Sequence, residues 1–159
     1  MAAEAPVEKR ERLLSLRGKA AIANARLAYR LFKARFSGDR WERLAAKGAM
    51  VQRPLWASTS TKNPAYRDVI YVEQLIGPNT VNTMPPATMD AFRDHGIIAR
   101  TVDSNDAQAE ADLAALEAAG ISLEHVTEQL LTEGVASFQR SFDTLLAGLS
   151  RKTASLVTS

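Results

Sequence analysis

A run of hydroxyl residues followed by a lysine and an asparagine is the part of this sequence best suited to chemistry. The run is Ser58-Thr59-Ser60-Thr61-Lys62-Asn63. Hydroxyl groups, backbone N–H groups and one ammonium together suit a phosphate or another small anion. The residues leave a second interpretation open, a Ser- and Thr-rich turn that only caps a helix, with Lys62 in solvent. Such caps are the commoner use of these residue types, so the anion site is a hypothesis to test.

A short apolar segment, residues 50–57, comes directly before this run. Its length and the turn formers around it predict a buried strand rather than a helix. Pro54 removes one ladder hydrogen bond, which favours a strand at the edge of a sheet. Residues 79–84 predict a second short strand, ended by Pro85 and Pro86. Because ligands of α/β proteins bind where parallel strands end, the hydroxyl run follows its strand at the expected place for a site.

Helical periodicity dominates the rest of the chain. The predicted helices cover residues 8–36, 40–47, 71–76, 87–95, 107–119 and 135–150, with one more between Ser122 and Gly134. Gly18 is expected to divide the first helix, Asp39 to cap the second, and Gly134 to separate the last two. Residues 1–7 and 151–159 are expected to be frayed ends.

Composition limits the classes of function. A chain of 159 residues is long enough for one domain but short for a closed (β/α)₈ barrel of about 250 residues. It contains no cysteine, and His95 and His125 are isolated in sequence, so we expect no metal site. No secretory or membrane-length apolar run is present, which favours a cytoplasmic location.

Basic residues line one face of the first predicted helix. That face could contact nucleic acid or an anionic membrane. However, no aromatic residues interleave with the basic ones, and the formal net charge of the chain is only +2. We therefore interpret the face as solvated, and expect neither nucleic acid nor membrane as a partner.

Three segments resemble transaldolases. Residues 18–29 (GKAAIANARLAY) resemble the helix before the seventh barrel strand of that family. Residues 53–64 (RPLWASTSTKNP) resemble the seventh strand and its loop, and residues 71–85 (YVEQLIGPNTVNTMP) resemble the run through the eighth strand. The resemblance extends over residues 16–149 and is greatest to transaldolases of the actinobacterial and cyanobacterial type.

The resemblance implies an α/β fold, the C-terminal part of a (β/α)₈ TIM barrel with about strands 7 and 8 and flanking helices. The chain, residues 1–159, would be a single, helix-rich partial domain. Transaldolases of the pentose phosphate pathway transfer a dihydroxyacetone unit between sugar phosphates through a Schiff base on a lysine. The family needs no metal and no organic cofactor.

The resemblance also implies which residues meet the substrate. Ser58 and Lys62 correspond to the phosphate-binding serine and basic residue of the family, and Asn63 is expected to assist through its amide. Other subfamilies have arginine in place of Lys62, so here the phosphate would meet a point charge without a bidentate fork. Asn82 and Thr83 would lie near the substrate, without an assigned role.

No residue of this chain corresponds to a catalytic residue of the family, because the Schiff-base lysine belongs to the fourth strand and the resemblance covers only strands 7 and 8. The chain alone is therefore expected to be inactive, and to need the N-terminal half of the barrel as a partner. Two alternatives remain, a stand-alone sugar-phosphate-binding module and an inactive remnant or helical interaction protein. The surplus of apolar helix over sheet motivates the second alternative. A missing side of the barrel would expose apolar surface, so we also expect aggregation or a homo-oligomer.

Overall fold

The computed structural model of this chain describes residues 7–157. Over those residues the chain forms seven helices and two strands. They are α1 (Val7–Ser15), α2 (Ala20–Arg35), α3 (Gly38–Ala45), β1 (Leu55–Trp56), α4 (Ile70–Glu73), β2 (Val81–Asn82), α5 (Pro86–His95), α6 (Asp106–Ala118) and α7 (Leu123–Val157). The chain divides into two compact units, Met1–Ala119 and Gly120–Ser159. The expected fraying of residues 1–6, 158 and 159 lies outside the described residues.

Gly18 separates α1 from α2, as the sequence predicts. Its φ of +77° lies in the left-handed region, which glycine adopts without steric cost. A Cβ at this position would also approach the ring of Tyr66, with 3.3 Å to its Cζ atom. The break therefore depends on both the backbone conformation and the close approach of a neighbouring aromatic ring.

The core of the first unit forms around α2, which packs against α6. Ile22, Tyr29, Leu75 and Val102 make up its buried cluster. The Tyr29 hydroxyl donates a hydrogen bond to the carbonyl oxygen of Pro78 at 3.0 Å, so this buried aromatic residue has its polar atom satisfied. Helix α2 is thereby fixed against the segment that leads into β2.

The two strands form a parallel pair, in which Leu55 lies opposite Val81 and Trp56 opposite Asn82. Both strands lie within the predicted segments, but each is only two residues long rather than six to eight. Among the described residues, each strand has the other as its single neighbour. Helix-rich structure with a small parallel sheet is consistent with part of a barrel.

Helix α6 begins at a side-chain cap. The Asn105 side chain accepts a hydrogen bond from the Gln108 backbone N–H at 3.1 Å, which satisfies one of the unpaired donors of the first turn. The expectation that Asp39 caps α3 is wrong. That helix starts one residue earlier, at Gly38, and the residue before it, Ser37, makes no side-chain cap hydrogen bond.

Helix α7 is one continuous helix of 35 residues. The predicted start is confirmed, because the Ser122 hydroxyl accepts a hydrogen bond from the His125 N–H at 3.3 Å. The predicted break at Gly134 is wrong, since one glycine in a helix costs only about 1 kcal/mol, less than a long helix can tolerate. The helix also continues to Val157, in place of the frayed tail predicted from residue 151. No helix among residues 7–157 is both long and apolar enough to cross a membrane.

Candidate functional site

The hydroxyl loop, which we define as residues 57–63, follows β1. All of its residues except Thr61 line a cleft of about 560 Å³ in the first unit. Ser58, Lys62 and Asn63, the three residues singled out from the sequence, all line this cleft. The opposite walls come from α2 and from the segment around α4. Their lining residues are Ala21, Asn24, Ala25, Ala28, Tyr71 and Leu75.

Ser58 has an unusual backbone conformation. Its φ is +57°, in the left-handed region that non-glycine residues adopt at a steric cost. The side chain is exposed within the lining of the cleft. Strained backbone of this kind often occurs at functional sites, and the observation gives the hypothesis for Ser58 a physical basis.

Thr59 fixes the hydroxyl loop to the end of strand β2. Its side chain is buried, with 3% of its surface exposed. The hydroxyl donates a hydrogen bond to Asn82 Oδ1 at 2.7 Å, and the Thr83 carbonyl oxygen lies 3.3 Å away. Asn82 thus has a structural role that the sequence did not assign, since its amide joins the end of β2 to the loop after β1.

Lys62 and Asn63 are the last two residues of the hydroxyl loop that line the cleft. Lys62 is exposed, and within residues 7–157 its ammonium takes part in no salt bridge. The Asn63 Oδ1 atom accepts a hydrogen bond from the Ala65 N–H at 3.0 Å, which forms a local turn. This bond uses the amide oxygen of Asn63 and leaves the Nδ2 donors for a ligand.

A cluster of charged residues around Arg67 contacts the hydroxyl loop at Thr61, near its C-terminal end. The Thr61 hydroxyl lies 3.1 Å from the carbonyl oxygen of Arg67. The Arg67 guanidinium in turn donates two hydrogen bonds of 2.8 Å to the buried carboxylate of Glu73 and one of 2.7 Å to the His95 carbonyl. These hydrogen bonds from Arg67 lower the pKa of Glu73, against the opposing effect of its burial.

His95 belongs to the same cluster. Its Nε2 atom lies 2.9 Å from Asp68 Oδ1, and its Nδ1 atom lies 3.0 Å from Asp94 Oδ2. These two carboxylates raise the pKa of His95, with Asp68 making the larger contribution. The cluster consists of mutually satisfied charges outside the cleft lining, so it supports the loop rather than facing a ligand. No group of three potential metal ligands was found among the described residues.

Sequence reasoning missed Asn24, the polar residue that α2 contributes to the cleft. A signal for it is present, because Ala21, Asn24, Ala25 and Ala28 recur at the three- and four-residue spacing of one helix face. A face of small residues with one amide leaves space beside the helix. Alanine abundance by itself indicates only helix propensity, which is why this face did not stand out.

Comparison with known proteins identifies relatives of this chain. A family model described as transaldolase/fructose-6-phosphate aldolase matches residues 2–149. A transaldolase 1 of Streptomyces coelicolor is 54% identical over 142 residues, which cover 89% of this chain and 37% of that protein. A transaldolase of Parafrankia sp. is 56% identical over 133 residues, 83% of this chain and 36% of that relative. A transaldolase of Trichodesmium erythraeum is 48% identical over 147 residues, 91% of this chain and 39% of that relative. The chain therefore spans somewhat more than a third of the length of each of these relatives.

Proposed function

We propose that this chain, which belongs to the transaldolase/fructose-6-phosphate aldolase family, supplies the phosphate-binding side of a transaldolase active site. The reaction is the transfer of a dihydroxyacetone unit between sugar phosphates through a Schiff base. The hydroxyl loop would hold the phosphate of the substrate, while the lysine that forms the Schiff base lies outside residues 1–159. The substrate class is inferred from the family, and residue roles from the loop.

The observation that carries this proposal is that Ser58, Lys62 and Asn63 line one cleft directly after a parallel strand. A hydroxyl, an ammonium and an amide NH₂ are all donors to phosphate oxygens. Thr59 and Asn82 hold the loop against the neighbouring strand, so the backbone that carries the donors is fixed before the ligand binds. A site of this kind loses little conformational entropy when the anion enters.

The lysines of the chain support the assignment of Schiff-base chemistry to another segment. Lys19 Nζ lies 3.5 Å from Asp112 Oδ1, and Lys33 Nζ lies 3.2 Å from Asp103 Oδ2, so both are occupied in ion pairs. Among the described residues, Lys62 is the only lysine in the cleft lining. A phosphate contact needs Lys62 as a cation, whereas a Schiff base needs it as a free amine.

We assign β1 and β2 to the seventh and eighth strands of the family's (β/α)₈ barrel. Among the described residues they pair only with each other, so one edge of each strand is left for the rest of a barrel. Residues 1–159 would then form one part of a single barrel domain, with the N-terminal strands as its partner. Strands Leu55–Trp56 and Val81–Asn82 would lengthen once both edges are paired.

The test of catalysis is a coupled transaldolase assay on the purified chain, with borohydride trapping in the presence of fructose 6-phosphate. We expect neither turnover nor a trapped adduct. Turnover should appear after the remaining part of the Streptomyces coelicolor relative is added. An adduct on Lys62 of the chain alone would refute its role as the phosphate-binding cation.

The test of the phosphate site is calorimetry with inorganic phosphate and with fructose 6-phosphate. We expect Lys62→Met to weaken binding about tenfold or more, because a charge-assisted hydrogen bond is worth about 1.5–3 kcal/mol. Lys47→Met, which removes an exposed lysine outside the cleft lining, is the matched control and should bind as the original chain does. Ser58→Gly removes the hydroxyl and keeps the left-handed backbone, so it should weaken binding without loss of stability.

The two tests together separate the proposal from its alternatives. Binding of fructose 6-phosphate without any gain of turnover on complementation would favour a stand-alone binding module. An absence of phosphate binding in both the chain and the complemented protein would refute the phosphate site. It would leave a remnant or an interaction protein as the better interpretation.

A further inference from the structure

Within the hydroxyl loop, all of which the structure describes, Thr61 alone does not line the cleft. Its hydroxyl lies 3.0 Å from the carbonyl oxygen of Asp68 and 3.1 Å from that of Arg67, so it donates its hydrogen bond to this pair of acceptors. The next residue, Lys62, lines the cleft. The loop thus bonds to the protein through one side chain and presents the following one to the proposed phosphate.

The Arg67 side chain holds the segment that Thr61 contacts. Its Nε and Nη2 atoms each donate a hydrogen bond of 2.8 Å to the Glu73 carboxylate, and Nη2 donates another of 2.7 Å to the His95 carbonyl oxygen. A bidentate, charge-assisted pair of this kind fixes the orientation of the guanidinium as well as its distance. Only 10% of the Glu73 side chain is exposed, so the carboxylate end of the pair is sheltered from solvent.

Glu73 is in turn bonded to a distant part of the first unit. Its Oε1 atom accepts a hydrogen bond from the Ile97 N–H at 2.9 Å, and its backbone carbonyl oxygen accepts one from the Thr101 hydroxyl. These partners lie 24 and 28 residues further along the chain. A continuous series of hydrogen bonds therefore connects the buried part of the unit to Thr61, directly beside the cleft.

The position of the Lys62 ammonium depends on the backbone that carries it. The side chain is exposed and, within residues 7–157, forms no ion pair that would hold it. Lysine has a flexible four-carbon stem, so the protein can fix in advance only where that stem begins and in which direction it leaves the backbone. The Thr61 hydrogen bond is the side-chain contact nearest to that point on its N-terminal side.

We propose that Thr61 is a positioning residue for the phosphate contact of Lys62, and that the Arg67–Glu73 pair fixes the segment to which Thr61 bonds. This inference rests on the proposed phosphate site and adds to it residues that do not touch the ligand. Without the Thr61 hydroxyl, the loop would have to be ordered when the anion binds, and that entropic cost would weaken binding.

The first experiment titrates the full chain with inorganic phosphate and follows binding by nuclear magnetic resonance. Thr61→Val keeps the shape of the side chain and removes the hydroxyl, so it should weaken binding about three- to tenfold, the equivalent of one hydrogen bond. Thr61→Ser retains the hydroxyl and should bind as the original chain does. The matched control is Thr153→Val, which removes a hydroxyl bonded to the Leu149 carbonyl within α7 and should have no effect. Equal losses in Thr61→Ser and Thr61→Val would overturn the proposal.

A double-mutant cycle tests whether Thr61 acts through Lys62. In the Lys62→Met background, Thr61→Val should change the affinity for phosphate by less than about twofold, because the cation that it positions is absent. A general loosening of the fold would instead lower the affinity by the same factor in both backgrounds. That result would assign Thr61 a structural role alone and would refute the proposal.

Arg67→Lys tests the ion pair. This variant keeps a cation near the loop but cannot bond to Glu73 through two parallel N–H groups, so it should weaken phosphate binding about two- to fivefold. The matched control is Arg93→Lys, in an exposed pair with Asp90, and should bind as the original chain does. An unchanged affinity in Arg67→Lys would overturn the role of the pair.

The same titrations distinguish this proposal from the phosphate site on which it rests. If the chain does not bind phosphate, or if Lys62→Met binds it as tightly as the original chain, both are refuted. If Lys62→Met weakens binding while Thr61→Val does not, the phosphate site stands and the positioning role of Thr61 is refuted.

Discussion

The unit Met1–Ala119 buries apolar side chains within itself, whereas the helix of the unit Gly120–Ser159 presents them to solvent. Every buried residue in the described part of the chain lies between Leu16 and Ala109. The second unit contains comparably large residues, yet Phe142 leaves 55% of its surface exposed. Both units lie largely within the single family match over residues 2–149, so the contrast does not arise from a difference in ancestry.

The contrast shows that apolar content alone does not tell whether a segment has its packing partner within the chain. In the first unit, apolar residues are tied to specific polar contacts, such as the bond from the Trp56 indole N–H to the Leu75 carbonyl at 3.1 Å. Charged groups add to this, because Asp103 accepts one hydrogen bond from the nearby Arg100 and another from Lys33 of α2, 70 residues away in sequence. Helix α7 carries side-chain hydrogen bonds mainly within its own turns, as between Gln139 and Asp143.

The largest expected effect is the loss of folding stability when a buried side chain of the first unit is truncated. Tyr29→Ala should lower the free energy of unfolding by about 3–5 kcal/mol, since it removes a ring that is 2% exposed. Phe138→Ala, in the second unit, should change it by less than about 0.5 kcal/mol in dilute protein. Urea denaturation followed by circular dichroism measures both. Equal costs would contradict the contrast and show that Phe138 is packed within a single chain.

Replacing a glycine by alanine should lower the stability of the first unit and raise that of the second. A Cβ on Gly77 would overlap Val102 Cγ1 in the core, so Gly77→Ala should destabilise the chain by about 1–3 kcal/mol. A Cβ on Gly134 meets nothing within 4 Å, so Gly134→Ala should stabilise α7 by about 0.5–1 kcal/mol. Thermal unfolding of both variants provides the comparison. A destabilised Gly134→Ala would mean that close packing, rather than solvent, surrounds this glycine.

Local rules predicted much of the helical structure. Gly18 divides the first helical region because its backbone is left-handed, and the Ser122 hydroxyl caps α7, as residue type and spacing suggested. The resemblance of residues 53–64 to transaldolases directed attention to the hydroxyl loop, whose composition alone favoured a capping turn. Glycine's own backbone freedom at position 18 and a cap three residues from its donor at Ser122 are both visible in residue type and spacing, which is why they could be predicted.

Other features depend on residues far apart in sequence. Nothing local indicates that Thr59 bonds to Asn82, 23 residues away, or that β1 and β2 shorten to two residues each. The break expected at Gly134 was wrong because the length of α7 outweighs one unfavourable residue. The apolar character of α7 is plain from its sequence, but only the continuity of the helix joins the apolar residues on both sides of Gly134 into one row.

The smallest expected effect is a change of folding stability with pH. We expect it to come from His95 and not from His125. The carboxylates of Asp68 and Asp94 raise the pKa of His95 above its ordinary value of 6.5, while Arg67 opposes this. Protonated His95 therefore favours the folded chain. This stabilisation is complete below about pH 6.5 and is lost as the pH rises through the raised pKa of the folded state.

His95→Gln should accordingly remove a small fall in stability above about pH 6.5 that the original chain shows, while His125→Gln should retain it. The two variants remove one histidine each, from the first and from the second unit. Urea midpoints at closely spaced pH values from about 5.5 to about 9 would resolve the difference. A fall that disappears in His125→Gln instead would place the pH-sensitive contact in the second unit. It would also require a packed environment around α7, whose large apolar side chains are instead exposed.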